Sequence, residues 1–221
     1  MREEIIRQVE ENKIIAIVRG IDPDKGLQVA QALYDGGIRM IEVTFNQKDV
    51  TKHADTESMI CAISQYFGEK ICVGAGTVTT VELVEKAARA GAKYIISPDA
   101  KEDVIKRTRQ LGLVSMPGAL TPTEITAAHG WGADFVKLFP AGSMGPGYVK
   151  AVKAPLNHIK LLAVGGVNPE NVTQYLDAGC CGAGIGGNLV NQKWIEAGEF
   201  EKLTRTAAEL VEKVKNWENQ K

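Results

Sequence analysis

One phrase of sequence recurs about eight times along this 221-residue chain, at intervals of roughly 20 to 30 residues. Each copy has a short apolar run, a polar or glycine-rich turn, and a segment with the apolar spacing of a helix. The apolar runs do not alternate with polar residues, which predicts parallel strands buried on both faces beneath helices. These runs are Ile14–Val18, Met40–Val43, Ile71–Val73, Tyr94–Ile96, Leu113–Met116, Phe135–Phe139, Leu161–Val164 and Cys180–Ala183.

About eight such units fit an α/β fold of the (β/α)8 TIM-barrel type better than a doubly wound sheet, which would leave units over. Helix starts are predicted at Thr121–Glu124, Asp22-Pro23 and Asn168-Pro169, where cap residues adjoin prolines. Glycines predict the helix ends, at Gly36-Gly37, Gly91, Gly112 and Gly179.

Apolar stripes at both ends of the chain predict an N-terminal capping helix and a C-terminal helix. The first contains Ile5, Ile6 and Val9, and the second contains Phe200, Leu203, Ala207, Leu210, Val211, Val214 and Trp217. No linker or low-complexity segment interrupts the pattern. We therefore expect residues 1–221 to form a single domain.

Composition excludes several classes of protein. The chain has 26 Lys and Arg against 27 Asp and Glu, so it lacks the basic excess that nucleic acids or membrane surfaces attract. No apolar run approaches the roughly 18 residues of a bilayer span, and the acidic start at Met1–Ile6 is unlike a secretion signal. The cysteines Cys61, Cys72, Cys180 and Cys181 form no CxxC pair, which favours reduced thiols in the cytoplasm.

In a TIM barrel the active site lies at the carboxyl ends of the strands. Lys137 stands inside the most apolar predicted strand, on the same face as Phe135 and Phe139. Such a lysine can form a buried salt bridge or extend its ammonium to solvent at the strand end. Because desolvation favours the neutral amine, we instead predict a Schiff-base lysine that attacks a carbonyl.

Two more charged residues are predicted at the same rim. Glu42 is embedded in the second apolar run, where it can serve as the partner of a buried cation, as a proton shuttle, or as both. Arg19 ends the first strand, and its planar guanidinium suits a substrate carboxylate.

Three glycine-rich segments are predicted to follow strands: Gly74–Thr77, Gly165-Gly166 and Gly184–Asn188. Glycines there either satisfy turn geometry or let backbone amides approach a ligand, and in the last two units they favour phosphate. The histidines His53, His129 and His158 lack metal-ligand spacing. We expect no metal and no other cofactor.

Several motifs together are similar to those of the 2-keto-3-deoxy-6-phosphogluconate (KDPG) and 4-hydroxy-2-oxoglutarate (KHG) aldolases. The similarity extends from about Ile14 to Asn188 and lies in Ile41–Thr44, Gly74–Val78, Ser97-Pro98, Met116–Gly118, Thr121–Glu124, Val136–Pro140 and Gly165–Val167. The resemblance implies a metal-free class I aldolase on a trimeric barrel, acting on a phosphorylated keto acid and releasing pyruvate and glyceraldehyde 3-phosphate. It also assigns roles: Lys137 as the Schiff-base lysine, Glu42 as the proton shuttle, a pyruvyl pocket at Arg19, Thr77, Pro98 and Phe139, and a phosphate site at Gly165, Gly166, Gly186 and Gly187.

Three positions depart from the phosphogluconate pattern. Asn46 replaces an arginine, Val164 a threonine or serine, and Asn188 a serine. The first two resemble the branch that cleaves the phosphogalactonate epimer. We expect Asn46 to donate and to accept one hydrogen bond each, and so to discriminate the hydroxyl orientation at C4.

Two alternatives remain open. An aldolase for unphosphorylated 4-hydroxy-2-oxoglutarate would use the same lysine and carboxylate and release pyruvate and glyoxylate. A non-catalytic phosphosugar-binding barrel would instead keep Lys137 and Glu42 as a structural ion pair.

Overall fold

The computed structural model describes residues 2–221, in which strands and helices alternate. The strands are β1 Ile14–Val18, β2 Met40–Thr44, β3 Cys72–Gly76, β4 Tyr94–Ile96, β5 Val114–Met116, β6 Gly118–Ala119, β7 Val136–Leu138, β8 Leu161–Val164 and β9 Gly182–Ile185. The helices are α1 Arg2–Asn12, α2 Pro23–Asp35, α3 His53–Phe67, α4 Val81–Arg89, α5 Glu102–Gln110, α6 Pro122–Gly130, α7 Ala141–Lys153, α8 Val172–Asp177, α9 Gln192–Glu196 and α10 Phe200–Glu218. Short 3₁₀ turns cover Val50–Lys52 and Gly68–Lys70.

The strands form one parallel sheet in the order β5-β4-β3-β2-β1-β9-β8-β7-β6. Its two ends, β5 and β6, are separated in the chain only by Pro117. The carbonyl oxygen of Ser115 accepts from the Phe135 amide at 3.2 Å, and that of Pro117 accepts from the Lys137 amide at 2.8 Å. The ends therefore meet, and the predicted (β/α)8 barrel is confirmed, with β5 and β6 as two halves of its fifth strand.

Side chains alternate between the two faces of a strand, so every second residue points into the barrel. Nine interior residues from the strands and their edges form one apolar cluster: Ile15, Met40, Cys72, Tyr94, Ile96, Val114, Met116, Phe135 and Leu162. Ile5 and Val9 of α1 belong to the same cluster. Helix α1 thus closes the end of the barrel where the strands begin, as its apolar stripe predicts.

The larger cluster lies between the strands and the surrounding helices. Helix α10 packs there against α2, so closely that a Cβ on Gly36 would lie 2.4 Å from the Cβ of Ala207. The predicted stripe of α10 buries Leu203, Ala207, Leu210 and Val214, which confirms a C-terminal helix packed on the barrel. No helix within residues 2–221 combines the length and the apolar character needed to cross a bilayer.

The predicted helix starts at Thr121 and Asp22 are correct. Thr121 and Glu124 form a reciprocal capping box, and the Asp22 carboxylate accepts from the Asp24 amide. The predicted start at Asn168-Pro169 is wrong because the Asn168 side chain accepts from two following amides, which builds a turn. Helix α8 begins only at Val172.

Two strand boundaries also differ from the prediction. Residues 74–76 form the end of β3 instead of a loop after it. The last strand is β9 at Gly182–Ile185, two residues later than the apolar run 180–183. A Cβ on Gly182 would lie 2.5 Å from the Lys13 carbonyl oxygen, so close strand packing requires glycine where apolar patterning expects a bulky residue.

Candidate active site

Lys137 projects from β7 into the open end of the barrel, where Lys137 is only 3% exposed. Its Nζ lies 5.0 Å from the ring centroid of Phe139. No carboxylate oxygen among residues 2–221 lies within the 4.0 Å of a salt bridge to this nitrogen. Burial lowers the pKa of Lys137, partly offset by the Glu42 carboxylate, while Arg19 lowers it further. The amine is therefore biased towards the neutral, nucleophilic form.

Glu42 of β2 is 1% exposed, and neither carboxylate oxygen has a hydrogen-bond partner among residues 2–221. Its carboxylate occupies space that the missing side chain of Gly76 provides, since a Cβ there would lie 1.7 Å from Oε1. Burial raises the pKa of Glu42, and the charges of Lys137 and Arg19 partly offset this. A buried carboxyl with free oxygens and a raised pKa is suited to proton transfer.

Two adjoining cavities open around Lys137, and both are lined by Arg19, Gly20, Lys137 and Phe139. The first, of about 930 Å³, lies over the ends of β1, β2 and β3 and also contacts Asn46, Thr77 and Pro98. We call it the strand-1–3 cavity. Glu42 lines neither cavity, so it sits behind their walls and does not face the open space.

The second cavity, of about 890 Å³, lies over the ends of β8 and β9, and we call it the glycine cavity. Its wall contains the predicted phosphate-site residues Gly165, Gly166, Gly186, Gly187 and Asn188, together with Val164 and Lys193. No Asp or Glu of residues 2–221 lines it, whereas Arg19, Lys137 and Lys193 do. The glycine cavity is therefore suited to an anion.

Backbone conformation fixes part of this wall. Gly165 and Gly166 have φ values of 89° and 81°, a region that strongly favours glycine. The Gly165 carbonyl accepts from the Gly142 amide at 2.7 Å. One amide hydrogen of Asn188 is directed to the Val167 carbonyl at 2.9 Å, which fixes that side chain across the loop.

Arg19 lies just after β1, is exposed, and makes no salt bridge or side-chain hydrogen bond within residues 2–221. An arginine without an internal acid, shared by both cavities, can bind an anionic group of a ligand through its planar guanidinium.

Asn46 departs from its expected role in one respect. Its Oδ1 already accepts from the amides of Lys48 at 2.9 Å and Asp49 at 3.1 Å. The expectation that it donates and accepts one bond each is wrong, because the local turn occupies the acceptor and leaves the NH₂ group as a donor.

The structure thus brings every predicted site residue except Glu42 onto the walls of these cavities. The sequence analysis missed Lys193, Gln47, Lys48 and Lys52, which also line them. Gln47 and Lys48 could have been predicted as site residues, because they directly follow Asn46 at the end of the second strand. Lys193 had no such signal, because it follows the last strand by eight residues and lies in the first turn of α9.

No group of three or more His, Cys, Asp and Glu side chains within residues 2–221 is arranged to hold a metal ion. His53 instead bonds the Asn46 carbonyl oxygen through Nε2 at 2.9 Å. The rings of His129 and His158 pack edge to face with centroids 5.3 Å apart.

A parallel barrel with a buried lysine and a buried carboxyl beside cavities at its open end has the features of a TIM-barrel enzyme. Comparison with known proteins is specific: the family model described as KDPG and KHG aldolase matches residues 5–206. The chain belongs to this family, whose members are aldolases that cleave carbon–carbon bonds.

Individual relatives agree. The chain is 39% identical over 203 residues to the 2-dehydro-3-deoxy-6-phosphogalactonate aldolase of Escherichia coli K12, covering 89% of this chain and 96% of that protein. It is 32% identical over 198 residues to the KHG/KDPG aldolase of the same organism, covering 87% of each. The solved native KDPGal structure superposes with a TM-score of 0.83 and 38% identity, covering 93% of this chain and 96% of that one.

Proposed function

We propose that this chain is a class I aldolase that cleaves a 2-keto-3-deoxy-6-phospho sugar acid to pyruvate and glyceraldehyde 3-phosphate, and that the galactonate epimer is its better substrate. The observation that carries the proposal is the position of Lys137, a buried amine without an ion-pair partner within residues 2–221, where two cavities meet. Among residues 2–221, the carboxyl that influences this amine is that of the buried Glu42.

In the proposed reaction the neutral Lys137 amine attacks the C2 ketone, and loss of water gives a protonated imine. The C4 hydroxyl loses its proton and the C3–C4 bond breaks, with its electron pair passing through C3 to the imine nitrogen. Glyceraldehyde 3-phosphate leaves, and the remaining enamine is protonated at C3. Water then hydrolyses the imine, which releases pyruvate and regenerates Lys137.

Glu42 is the proposed proton carrier for these steps. Since it lies behind the cavity walls, its protons reach the substrate through a bridging water or after a side-chain rotation. Burial raises its pKa, and nearby positive charge partly offsets this. The protonated imine places such a charge near the carboxyl, and formation of the neutral enamine removes it.

The two cavities divide the substrate. The phosphate fits the glycine cavity, because no Asp or Glu of residues 2–221 lines that cavity and would repel an anion. Its proposed partners are Lys193 and the backbone amides of Gly165, Gly166, Gly186 and Gly187. The carboxylate and ketone fit beside Arg19, Thr77, Pro98 and Phe139 next to Lys137. Val164 and Asn46 support the galactonate epimer, in agreement with the phosphogalactonate relatives of Escherichia coli and Rhizobium meliloti.

The test is kcat/KM for both phosphorylated epimers and for 4-hydroxy-2-oxoglutarate. We expect turnover of the phosphorylated acids, with the galactonate epimer at least equal to the gluconate one. Lys193→Met should lower kcat/KM about tenfold for phosphorylated substrates only, because one charge-assisted contact is lost. Lys213→Met on α10, whose lysine pairs with Glu209, is the matched control. Preference for the unphosphorylated acid would contradict the proposal.

The proposal includes three expectations about domain organisation, oligomeric state and cellular location. The chain acts as a single domain over residues 1–221, assembles as a homotrimer, and works in the cytoplasm, where its four free cysteines stay reduced. Sedimentation analysis tests the trimer, and a monomer at micromolar concentration would contradict it.

A further inference from the structure

Gln47 connects two neighbouring loops at the open end of the barrel. It follows β2 and lines the strand-1–3 cavity. Its Nε2 donates to the Thr77 carbonyl at 2.9 Å, and its Oε1 accepts from the Thr79 hydroxyl at 2.9 Å. Both Thr77 and Thr79 belong to the loop after β3. One side chain therefore holds that loop at two points, using both its donor and its acceptor.

The loop needs such support because Thr77 has a φ of 57°. A β-branched residue in the left-handed region is an uncommon conformation that persists only where surrounding contacts impose it. Thr77 also lines the strand-1–3 cavity, as Lys137 does. Its unfavourable backbone conformation thus coincides with the wall of the candidate active site.

Every carbonyl from Gly76 to Thr79 has a hydrogen-bond donor. Gly76 receives the Phe45 amide, Val78 the Ser97 hydroxyl at 2.6 Å, and Thr79 the Lys101 ammonium at 3.0 Å. For the Thr77 carbonyl, the donor within residues 2–221 is Gln47 alone. Removing Gln47 therefore leaves this carbonyl without a donor, while the N–H of the same peptide, that of Val78, still donates to the Ile96 carbonyl at 3.2 Å. The Thr77–Val78 peptide then keeps one of its two hydrogen bonds.

We propose that Gln47 is a positioning residue for the aldol reaction: it holds Thr77 in the left-handed conformation that forms the wall of the pocket for the pyruvyl part of the substrate. The inference rests on the proposed function for its catalytic consequence. Gln47 acts through Thr77 and contacts no reacting atom. Its loss should therefore weaken substrate binding more than it slows the chemical step.

The experiment compares two variants of the full chain. Gln47→Met keeps the side-chain length and removes both hydrogen bonds. Gln47→Glu keeps an acceptor for Thr79 but places a carboxylate oxygen against the Thr77 carbonyl. Gln31→Met, on the exposed face of α2 where Gln31 bonds Asp35, is the matched control.

In a crystal structure of Gln47→Met without substrate we expect Thr77 to leave the left-handed region. KM for the better phosphorylated keto acid should rise about 3- to 10-fold, the scale of one lost hydrogen bond, with kcat changed less than twofold. Gln47→Glu should have a larger effect, and the melting temperature of Gln47→Met should stay close to that of Gln31→Met.

A double-mutant cycle with Thr77→Ala separates positioning from direct contact. If Gln47 acts through Thr77, adding Gln47→Met to Thr77→Ala raises KM no further. Additive effects, or a Thr77 that keeps its left-handed φ in Gln47→Met, would overturn the inference. A wild type that turns over no keto acid would refute the proposed function instead, while the conformation of Thr77 in Gln47→Met would still decide the positioning claim.

Discussion

Gly76→Ala tests whether the exact position of the Glu42 carboxylate matters. The added methyl group would lie 1.7 Å from Oε1, 2.4 Å from Cδ and 2.6 Å from Cγ of Glu42, whereas real contacts of this kind are essentially never below 3.0 Å. The carboxylate must therefore move by more than about 1 Å, in a barrel interior where Glu42 is 1% exposed. Alanine itself is chemically inert, so the variant displaces the carboxyl without removing it.

The expected magnitude follows from that displacement. A misplacement of about 1 Å in a catalytic group can cost about 10² in rate, and overpacking a buried site costs about 1–3 kcal/mol of stability. We therefore expect kcat to fall about 100-fold while the protein stays folded with a lowered melting temperature. Lys137 lies on another strand, so pyruvate should still form an imine that borohydride reduces.

The assay is steady-state cleavage of the phosphorylated keto acids, with melting temperature and borohydride trapping measured on the same preparations. Gly130→Ala, at the end of α6, is the control because its added methyl group meets no atom within 4 Å. A Gly76→Ala enzyme with kcat within threefold of wild type would show that turnover does not depend on where Glu42 sits.

Three further predictions concern the same site. Glu42→Gln should keep the fold and lower kcat by about 10² to 10⁴, the usual range for a lost acid-base group; a variant that unfolds yet keeps full activity per folded molecule would make Glu42 structural. The same substitution removes the Glu42 charge, which raises the pKa of Lys137, so the pH dependence of pyruvate-imine formation should move to lower pH; a shift to higher pH would contradict the electrostatic picture. Asn46→Arg should move the ratio of kcat/KM for the two epimers towards gluconate by about 1 to 2 kcal/mol; an unchanged ratio would show that residue 46 does not set the stereochemistry.

The barrel could be predicted from the sequence because its strands are continuous apolar runs and its helices carry capping signals such as Thr121–Glu124. The apolar pattern did not locate the strand boundaries correctly where glycine takes the place of a large apolar side chain. Gly184 looks like a loop residue, yet it lies in β9, where a Cβ would meet the Val164 and Ile17 side chains. Pro117 likewise divides one barrel strand into two segments.

Much of the candidate site was also predictable, since a charged residue inside an apolar strand demands a reason. Lys137 and Glu42 were identified in this way. Three contacts were not predicted. That Gly76 makes room for Glu42 and that Gln47 holds Thr77 depend on the tertiary approach of neighbouring strands and loops. The turn that occupies the acceptor of Asn46 is local to residues 46–49.

The measurement that tests the central claim most directly is borohydride reduction of the protein in the presence of pyruvate, followed by intact-mass and peptide analysis. Lys137 is the buried lysine beside the cavities, so we predict one reduced pyruvate adduct per chain, on the peptide containing Lys137 and absent from Lys137→Ala. An adduct on a different lysine, or no adduct from a protein that still cleaves the substrate, would contradict the account.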